Sequence, residues 1–342
     1  MKREGASVRA AVIGAGSWGT ALAHLLHLNG HVVRLWSLED EVVRAIRDTG
    51  ENRKYLPGVP LSPQIQVSGK LEDVISGAQL VVSVSPAQFV GEVMALAAPY
   101  VDPTACLVSA SKGIEIASLR RMAEVLADIF PRQRDRMVAL SGPSFAAEVA
   151  RGQPTAVVAA SHSHEARVEA QRIFRSDTFR VYTNPDMIGV ELGGALKNVI
   201  ALAAGVSSGL GFGQNTQGAL ITRGLAEITR LGVAMGAQTS TFYGLAGIGD
   251  LVLTCTGHQS RNRSVGTRLG QGDSIDDILS EMNAVAEGVR TAPAAHALGK
   301  KFQVEMPIIE QMYAILEEGK PPLEAVKELM LRDPRSESNG PA

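Results

Sequence analysis

The sequence is short of cysteine, of net charge and of histidine groupings that would announce a catalytic device. Two cysteines, Cys106 and Cys255, among 342 residues leave no disulfide framework, and nothing has the form of a secretion signal. A cytoplasmic location is therefore the expectation. A formal net charge of −2 supplies no electrostatic reason to expect nucleic acid or a membrane surface as a partner, so any basic site must be local. The seven histidines are scattered. No His/Cys/Asp/Glu group has metal-ligand spacing, so no metal is expected, and neither a Ser-His-Asp order nor a nucleophile elbow is present. There is no internal repeat and no low-complexity tract. The one apolar run that resembles a membrane span, residues 190–206, is interrupted by Glu191 and Lys197 and reads as a buried helix instead.

What is present is enough apolar chain for a large core. Hydrophobic residues make up 45% of the sequence, and the length suggests two domains. The organising stretch lies near the start. Residues 8–13 form a short apolar strand, followed by Gly14-Ala-Gly16-Ser-Trp-Gly19 and an alanine- and leucine-rich helix ending near Leu28. The glycines have the G-x-G-x-x-G spacing. Gly14 permits a tight turn, Gly16 lets a pyrophosphate approach the backbone, and Gly19 lets the helix pack on the strand. The helix N-terminus then offers free N–H groups and its positive dipole end to phosphates. The spacing alone is weak evidence. A preceding strand, a following helix and a second strand at 31–36 make dinucleotide binding the better reading over an ordinary glycine-rich turn.

Strand and helix patterns then alternate. Helices are expected at 38–47, 71–76, 87–97, 117–129 and 164–174, and strands at 65–67, 80–84, 105–109, 138–141, 155–160 and 179–182. That alternation implies an α/β domain: a doubly wound, mostly parallel Rossmann sheet covered on both faces. From Ile188 onward apolar residues recur only at helical spacing, with breaks expected at glycines 205–213, 244–249 and 270–272. The expected division is a dinucleotide-binding domain over 1–187 and an all-helical substrate domain over 188–332. A loose leader over 1–7 and a disordered tail over 333–342 complete it.

Ligands of open α/β sheets bind beyond the C-terminal strand ends. Loops there carry Ser85-Pro86, Lys112 between Ser111 and Gly113, and Gly142-Pro143-Ser144. For Lys112, ligand contact and a plain surface charge are evenly matched. In the helical part, Lys197 follows a Gly-Gly pair among apolar residues. Burial there would lower its pKa toward the range useful for proton exchange; the alternative is an exposed polar stripe. Asp250 and Thr254 would share a face of a helix starting near Asp250, although an aspartate after glycines is often only a cap. Ser260 can cap a further helix and place Arg261 and Asn262 in its first turn, where a cation is favourable beside a bound anion. Cys255 reads as core rather than nucleophile, since no base accompanies it.

Taken together, these stretches resemble bacterial NAD(P)-dependent glycerol-3-phosphate dehydrogenases. The resemblance rests on Gly14-Ala-Gly-Ser-Trp-Gly-Thr-Ala-Leu-Ala23, Ser111-Lys112-Gly113, Ser141-Gly-Pro-Ser144 and residues 179–186 and 189–200. It continues through residues 219–227 and 247–256, Ser260-Arg-Asn262 and Glu287-Gly-Val-Arg290. It implies NAD or NADP as cofactor, reversible reduction of dihydroxyacetone phosphate to sn-glycerol 3-phosphate, and a role in phospholipid synthesis. Gly14, Gly16 and Gly19 of the glycine turn and, carried over by motif, Ser17, Trp18, Tyr55, Lys112, Ala146, Arg261, Val285 and Glu287 would contact the dinucleotide; Leu38 and Glu39, where this chain departs from many relatives, are expected to meet its ribose end. Lys112, Gly142, Ser144, Lys197, Asp250, Ser260, Arg261 and Asn262 would form the substrate site. Lys197 matches the family's proton-transferring lysine, with Lys112, Asp250 and Thr254 assisting. The resemblance is compatible with a homodimer and implies neither nucleic acid nor membrane insertion.

Many relatives carry basic residues just past the second strand, where this chain has Trp36-Ser37-Leu38-Glu39-Asp40. An acid there accepts a ribose 2′-hydroxyl and repels a 2′-phosphate, which predicts a preference for NAD unless Arg34 or Arg44 reaches the adenosine. Two other readings compete: a β-hydroxyacid-type dehydrogenase acting on a carboxylate, and a non-catalytic NAD sensor that needs neither lysine.

Overall fold

The computed structural model describes residues 7–282, 285–334, 336 and 337. The expected leader and tail lie outside the described residues, apart from Ser7, Asp333, Pro334, Ser336 and Glu337. In chain order the first part contains β1 (Arg9–Ile13), α1 (Ser17–Leu28), β2 (Val32–Trp36), α2 (Asp40–Thr49), β3 (Gln66–Ser68), α3 (Leu71–Ile75), β4 (Leu80–Ser83), α4 (Val90–Ala97), β5 (Cys106–Ser109), α5 (Met122–Ile129), β6 (Met137–Ser141), α6 (Ala146–Ala150), β7 (Thr155–Ala160), α7 (His164–Phe174) and β8 (Phe179–Asn184). The remainder is helical: α8 (Met187–Gly209), α9 (Gln214–Ala234), α10 (Thr239–Phe242), α11 (Asp250–Thr256), α12 (Arg261–Gln271), α13 (Ile275–Ser280), α14 (Glu287–Lys301), α15 (Pro307–Glu317) and α16 (Pro322–Met330).

The strands form one eight-stranded sheet in the order β3-β2-β1-β4-β5-β6-β7-β8. Every pairing is parallel except β6 with β7. The two-residue period of a strand sends alternate side chains to opposite faces. Ala10 and Val12 of β1 accordingly enter one core, with Leu22, Leu26 and Leu35, and Ala11 and Ile13 enter the other, with Val81, Leu107 and Met94. Because β1 lies between β2 and β4, the chain order reverses beside it. A crevice for ligands opens at such a point.

A third core fills the helical part. Its axis is α8, 23 residues long and nearly all buried. By length and composition α8 alone among the described helices passes for a membrane span, yet 89% of its most apolar window is buried in the protein. Polarity along the run is tied down locally: the Asp186 carboxylate caps α8 at Gly189 N (2.9 Å) and also accepts from Gln238 N and Thr241 Oγ1.

Two expected boundaries are corrected. Residues 117–121 are not helical, because Ile114 bridges Arg121 in antiparallel fashion and Leu119 takes a φ of +59°. Glu191 of α8 then fixes the start of α5 by accepting from Ala123 N (2.7 Å) and pairing with Arg121 Nη1 (2.6 Å). The glycines at 205 and 209 do not break α8. They lie against Gly266 and Gly270 of α12, and a Cβ on any of the four would fall on the other helix's backbone. The short helix α6 was not anticipated from the sequence.

Candidate active site

The two lysines singled out in the sequence meet on one carboxylate. Lys112, in the loop after β5, sends its Nζ to Asp250 Oδ2 (2.8 Å) and to the carbonyl of Gly142 after β6 (2.9 Å). Lys197, midway along α8, donates to Asp250 Oδ1 and to Thr254 Oγ1, the latter at 2.9 Å. Thr254 Oγ1 in turn donates a hydrogen bond to the Asp250 carbonyl one turn back (2.6 Å). Asp250 and Thr254 therefore do share a face of α11, which a glycine-rich π-turn at Leu245–Gly249 introduces. The Gly193-Gly194 pair allows this convergence. Side chains there would strike the Ala246 carbonyl and Ser141 Oγ, so α8 can sit against both the π-turn and the end of β6.

The cluster is almost dry: Asp250 is 1% and Lys197 6% exposed. Burial drives the Lys197 pKa down, the Asp250 charge partly restores it, the Lys112 charge opposes, and the balance is about 8. Burial alone would raise the Asp250 pKa, but the two ammonium groups outweigh it and hold the carboxyl below its ordinary value. The arrangement is a buried carboxylate anchoring one ammonium poised to exchange a proton near neutral pH. Beside it stands a second ammonium, on a side chain that is 16% exposed. Cys255 and Cys106 are buried, with thiols pushed up to about 12, and have no nucleophilic character.

A short distance along, Ser260 caps α12 by accepting from Arg263 N (3.2 Å). The first turn of α12 holds no acid. Arg261 Nη1 donates to the Val285 carbonyl (3.0 Å). Asn262 donates to Asn198 Oδ1 (3.0 Å) and accepts from Gly288 N (2.9 Å). Asn198 follows Lys197 on α8 and so ties this helix start to the lysine. It went unassigned in the sequence, where only its place beside Lys197 pointed to it. Ser144 Oγ donates to the Gly142 carbonyl (2.9 Å). A guanidinium, amides and a helix N-terminus without a counter-acid suit a phosphate.

The glycine loop fits a dinucleotide on structural grounds. Gly14 has a φ of +124°, a conformation that side chains resist. A Cβ on Gly19 would meet the Gly14 carbonyl and Val84, whereas one on Gly16 would meet nothing within 4 Å. Gly16 thus keeps a surface open without packing needing it. The α1 N-terminus has neither a side-chain cap nor an acid in its first turn, and the buried indole N–H of Trp18 has no partner in the protein. Ala146 opens α6 and packs on the same core. Glu287, at the start of α14, reaches back to Ala87 N (3.1 Å), while its second oxygen is buried and unpartnered. Val285 and Leu38 are exposed.

Just beyond β2 the structure qualifies one expectation. Glu39 is not a lone carboxylate. Tyr55 donates to its Oε1 (2.7 Å) and Lys54 pairs with its Oε2 (2.9 Å). Arg34 is spent on the carbonyls of Asp73 and Ser76, and Arg44 donates to the Asp40 carbonyl. Lys54 was overlooked in the sequence. Among the described residues no three or more His, Cys, Asp or Glu side chains form a group able to hold a metal ion.

Comparison with known proteins adds the following. Residues 9–167 match the family model described as the NAD-dependent glycerol-3-phosphate dehydrogenase N-terminus, and residues 186–327 match its C-terminus. The chain is 56% identical over 328 residues to a glycerol-3-phosphate dehydrogenase [NAD(P)+] of Geobacter sp. (strain M21), covering 96% of this chain and 98% of the relative. It is 54% identical to one from Geobacter sulfurreducens, covering 97% and 99%. A crystal structure of glycerol-3-phosphate dehydrogenase from Coxiella burnetii superposes with a TM-score of 0.91 at 40% identity, covering 95% of this chain and 99% of that one.

Proposed function

The chain belongs to the NAD-dependent glycerol-3-phosphate dehydrogenase family, and from that premise we propose how its residues divide the work. The activity is the reversible, NAD(P)H-dependent reduction of dihydroxyacetone phosphate to sn-glycerol 3-phosphate, which feeds phospholipid synthesis. A carboxylate-directed dehydrogenase and a non-catalytic sensor are set aside with it. When bound, the reduced nicotinamide supplies a hydride to C2 of the ketone. As the carbonyl oxygen gains negative charge, Lys197 stabilises it and gives it a proton. Asp250 and Thr254 aim the Lys197 ammonium. Lys112 adds positive charge beside the same oxygen. Arg261, Asn262 and the capped start of α12 take the substrate phosphate. In the reverse direction the neutral Lys197 amine accepts the C2 hydroxyl proton.

The observation that carries this reading is the convergence of Lys112 and Lys197 on one buried aspartate. The deciding experiment is Lys197→Met followed by loss of NADH absorbance with dihydroxyacetone phosphate. Removing a general acid lowers the rate by about 10²–10⁴-fold. Turnover at the parental rate would dismiss Lys197 as the proton donor.

We assign the glycine loop that holds the dinucleotide to the expected domain over 1–187, and the proton donor and phosphate site to the one over 188–332, with Lys112, Arg261, Val285 and Glu287 reaching across between them. Glu39 favours NADH over NADPH through the ribose hydroxyl; a lower Michaelis constant for NADPH refutes that preference. Two buried free thiols suit a reducing cytoplasmic setting. The homodimer is tested by sedimentation, and a single monomeric species rejects it.

A further inference from the structure

Lys54 stands where a choice between cofactors is made. It belongs to a loop fixed to the dinucleotide turn: Asn52 Nδ2 donates to the Ala15 carbonyl and to Thr20 Oγ1, both at 2.8 Å, and Asn52 Oδ1 accepts from Tyr55 N (3.2 Å). Asn52 itself is 1% exposed. From this anchored base, Lys54 Nζ reaches Glu39 Oε2 (2.9 Å) and Glu41 Oε1 and lies 5.4 Å from the centre of the Tyr55 ring. Its side chain is 34% exposed, so the ammonium is both held and accessible. Glu39 is the residue before α2, just beyond β2, where the adenosine ribose of a dinucleotide lies in this fold.

We propose that Lys54 sets how the enzyme ranks NADPH against NADH, its ammonium leaving Glu39 for the ribose 2′-phosphate when NADPH binds. With NADH the ammonium stays on Glu39 Oε2. The carboxylate has lone pairs to spare and accepts the ribose hydroxyl while Tyr55 holds Oε1. With NADPH the incoming phosphate would meet Glu39 and Glu41, two negative charges against one positive, and Lys54 is the cation on an anchored loop within reach. Binding NADPH therefore costs the ammonium its carboxylate partners and regains a phosphate partner, so NADPH is accepted but ranks second. Glu39 alone would exclude NADPH; the Glu39–Lys54 pair only discourages it. No bond is made or broken in this exchange.

The inference rests on the assignment of Glu39 to the ribose end, which has its own readout: Glu39→Gln weakens NADH binding if that assignment holds. Lys54 is tested separately by calorimetric titration of the cofactor-free enzyme with NADH and with NADPH. Losing one charge-assisted contact, Lys54→Met raises the NADPH dissociation constant by about ten- to a hundredfold. The NADH constant stays within about threefold, since an exposed pair contributes little. Lys54→Arg restores NADPH binding, because a guanidinium also pairs with phosphate. Added salt narrows the gap between parent and Lys54→Met for NADPH alone. Equal weakening of both cofactors would reduce Lys54 to a support for the Tyr55 loop and overturn the proposal. So would an unchanged NADPH constant. A thermal melt matching the parent's shows that any loss belongs to the site and not to the fold.

Discussion

Asp250→Asn separates the electrostatic account of the active site from a purely steric one. The side chains have nearly the same shape, so the space between α8 and α11 is kept while one charge disappears. In the parent, Asp250 is buried and shared by two ammonium groups. Removing one member of a buried ion pair costs about 3–5 kcal/mol when the other must stay charged. Lys197 can avoid that cost by losing its proton. Its pKa of about 8 already reflects burial pulling down and Asp250 pulling up. Without Asp250 the downward causes, burial and the charge of Lys112, are opposed only by the last and smallest upward one, Cys255, so the pKa falls further. One unit corresponds to about 1.36 kcal/mol, and a shift of at least one unit is a modest fraction of the pair's cost.

The sign is fixed by the chemistry. With Lys197 in the proposed role, reduction needs the ammonium, so kcat/KM for the ketone should be full below about pH 8 in the parent and decline above it. Oxidation needs the neutral amine and climbs through the same region. In Asp250→Asn both limbs move to lower pH. Reduction near neutrality then loses about 10²–10⁴-fold, partly from the lost proton and partly from lost aim. The assay is the initial rate of NADH absorbance change in each direction over a pH series, with circular dichroism at each pH to verify the fold. A reduced rate whose alkaline limb stays near the parental pH would refute the reasoning, because the controlling ionisation would then not be the group that Asp250 holds.

Two further outcomes follow from the same structure. Glu227 of α9 is buried and accepts from Ile308 N (2.8 Å) and Ile309 N (3.3 Å) at the start of α15, and burial raises its pKa from 4.5 to about 7. A carboxyl whose folded pKa is raised favours the folded state fully at low pH and loses that contribution as pH rises from 4.5 to about 7. Glu227→Gln keeps an acceptor but not the charge. Urea titrations should therefore show the parent losing roughly 2–3 kcal/mol relative to Glu227→Gln across that interval; parallel stability curves would reject the assignment. Gly16→Ala adds a methyl that meets no protein atom within 4 Å at an ordinary φ of −68°. It should melt at or slightly above the parental temperature, with up to about 1 kcal/mol gained from a stiffer unfolded chain. NADH binding by calorimetry should weaken by about tenfold or more, through lost approach of the pyrophosphate to the backbone; unchanged affinity would remove the loop from the cofactor site.

What the sequence made legible was local. The strand period of β1, the glycine spacing before α1 and the bounds of β7 and α7 all follow from neighbours in the chain, and the structure keeps them. The shared face of Asp250 and Thr254 was legible because four residues make about one helical turn. The desolvation of Lys197 was legible because its apolar neighbours are adjacent in the chain. Its pairing with Asp250, 53 residues away, was a matter of motif resemblance rather than spacing. The misreadings share one physical origin: a residue whose meaning depends on a partner outside its own helical turn. Gly205 and Gly209 look like helix stops until Gly266 and Gly270 appear opposite them with the same spacing. Residues 117–121 look helical until Ile114 claims Arg121.

Lys54 belongs to the same group and has the largest functional consequence. In a sequence it is one more lysine in a polar loop, and Glu39 reads as an unopposed acid that repels phosphate. Asn52 brings the two together by fastening the loop to the glycine turn. Once they are together, the acid no longer acts as a simple barrier. An acid with its own lysine discriminates by the difference between two ion pairs, and a difference of that kind is small and tunable. A lone acid would commit the chain to one cofactor. On the proposed roles, the Glu39–Lys54 pair would let an enzyme that ranks NADH first keep access to NADPH, and loss of the lysine alone should close that access.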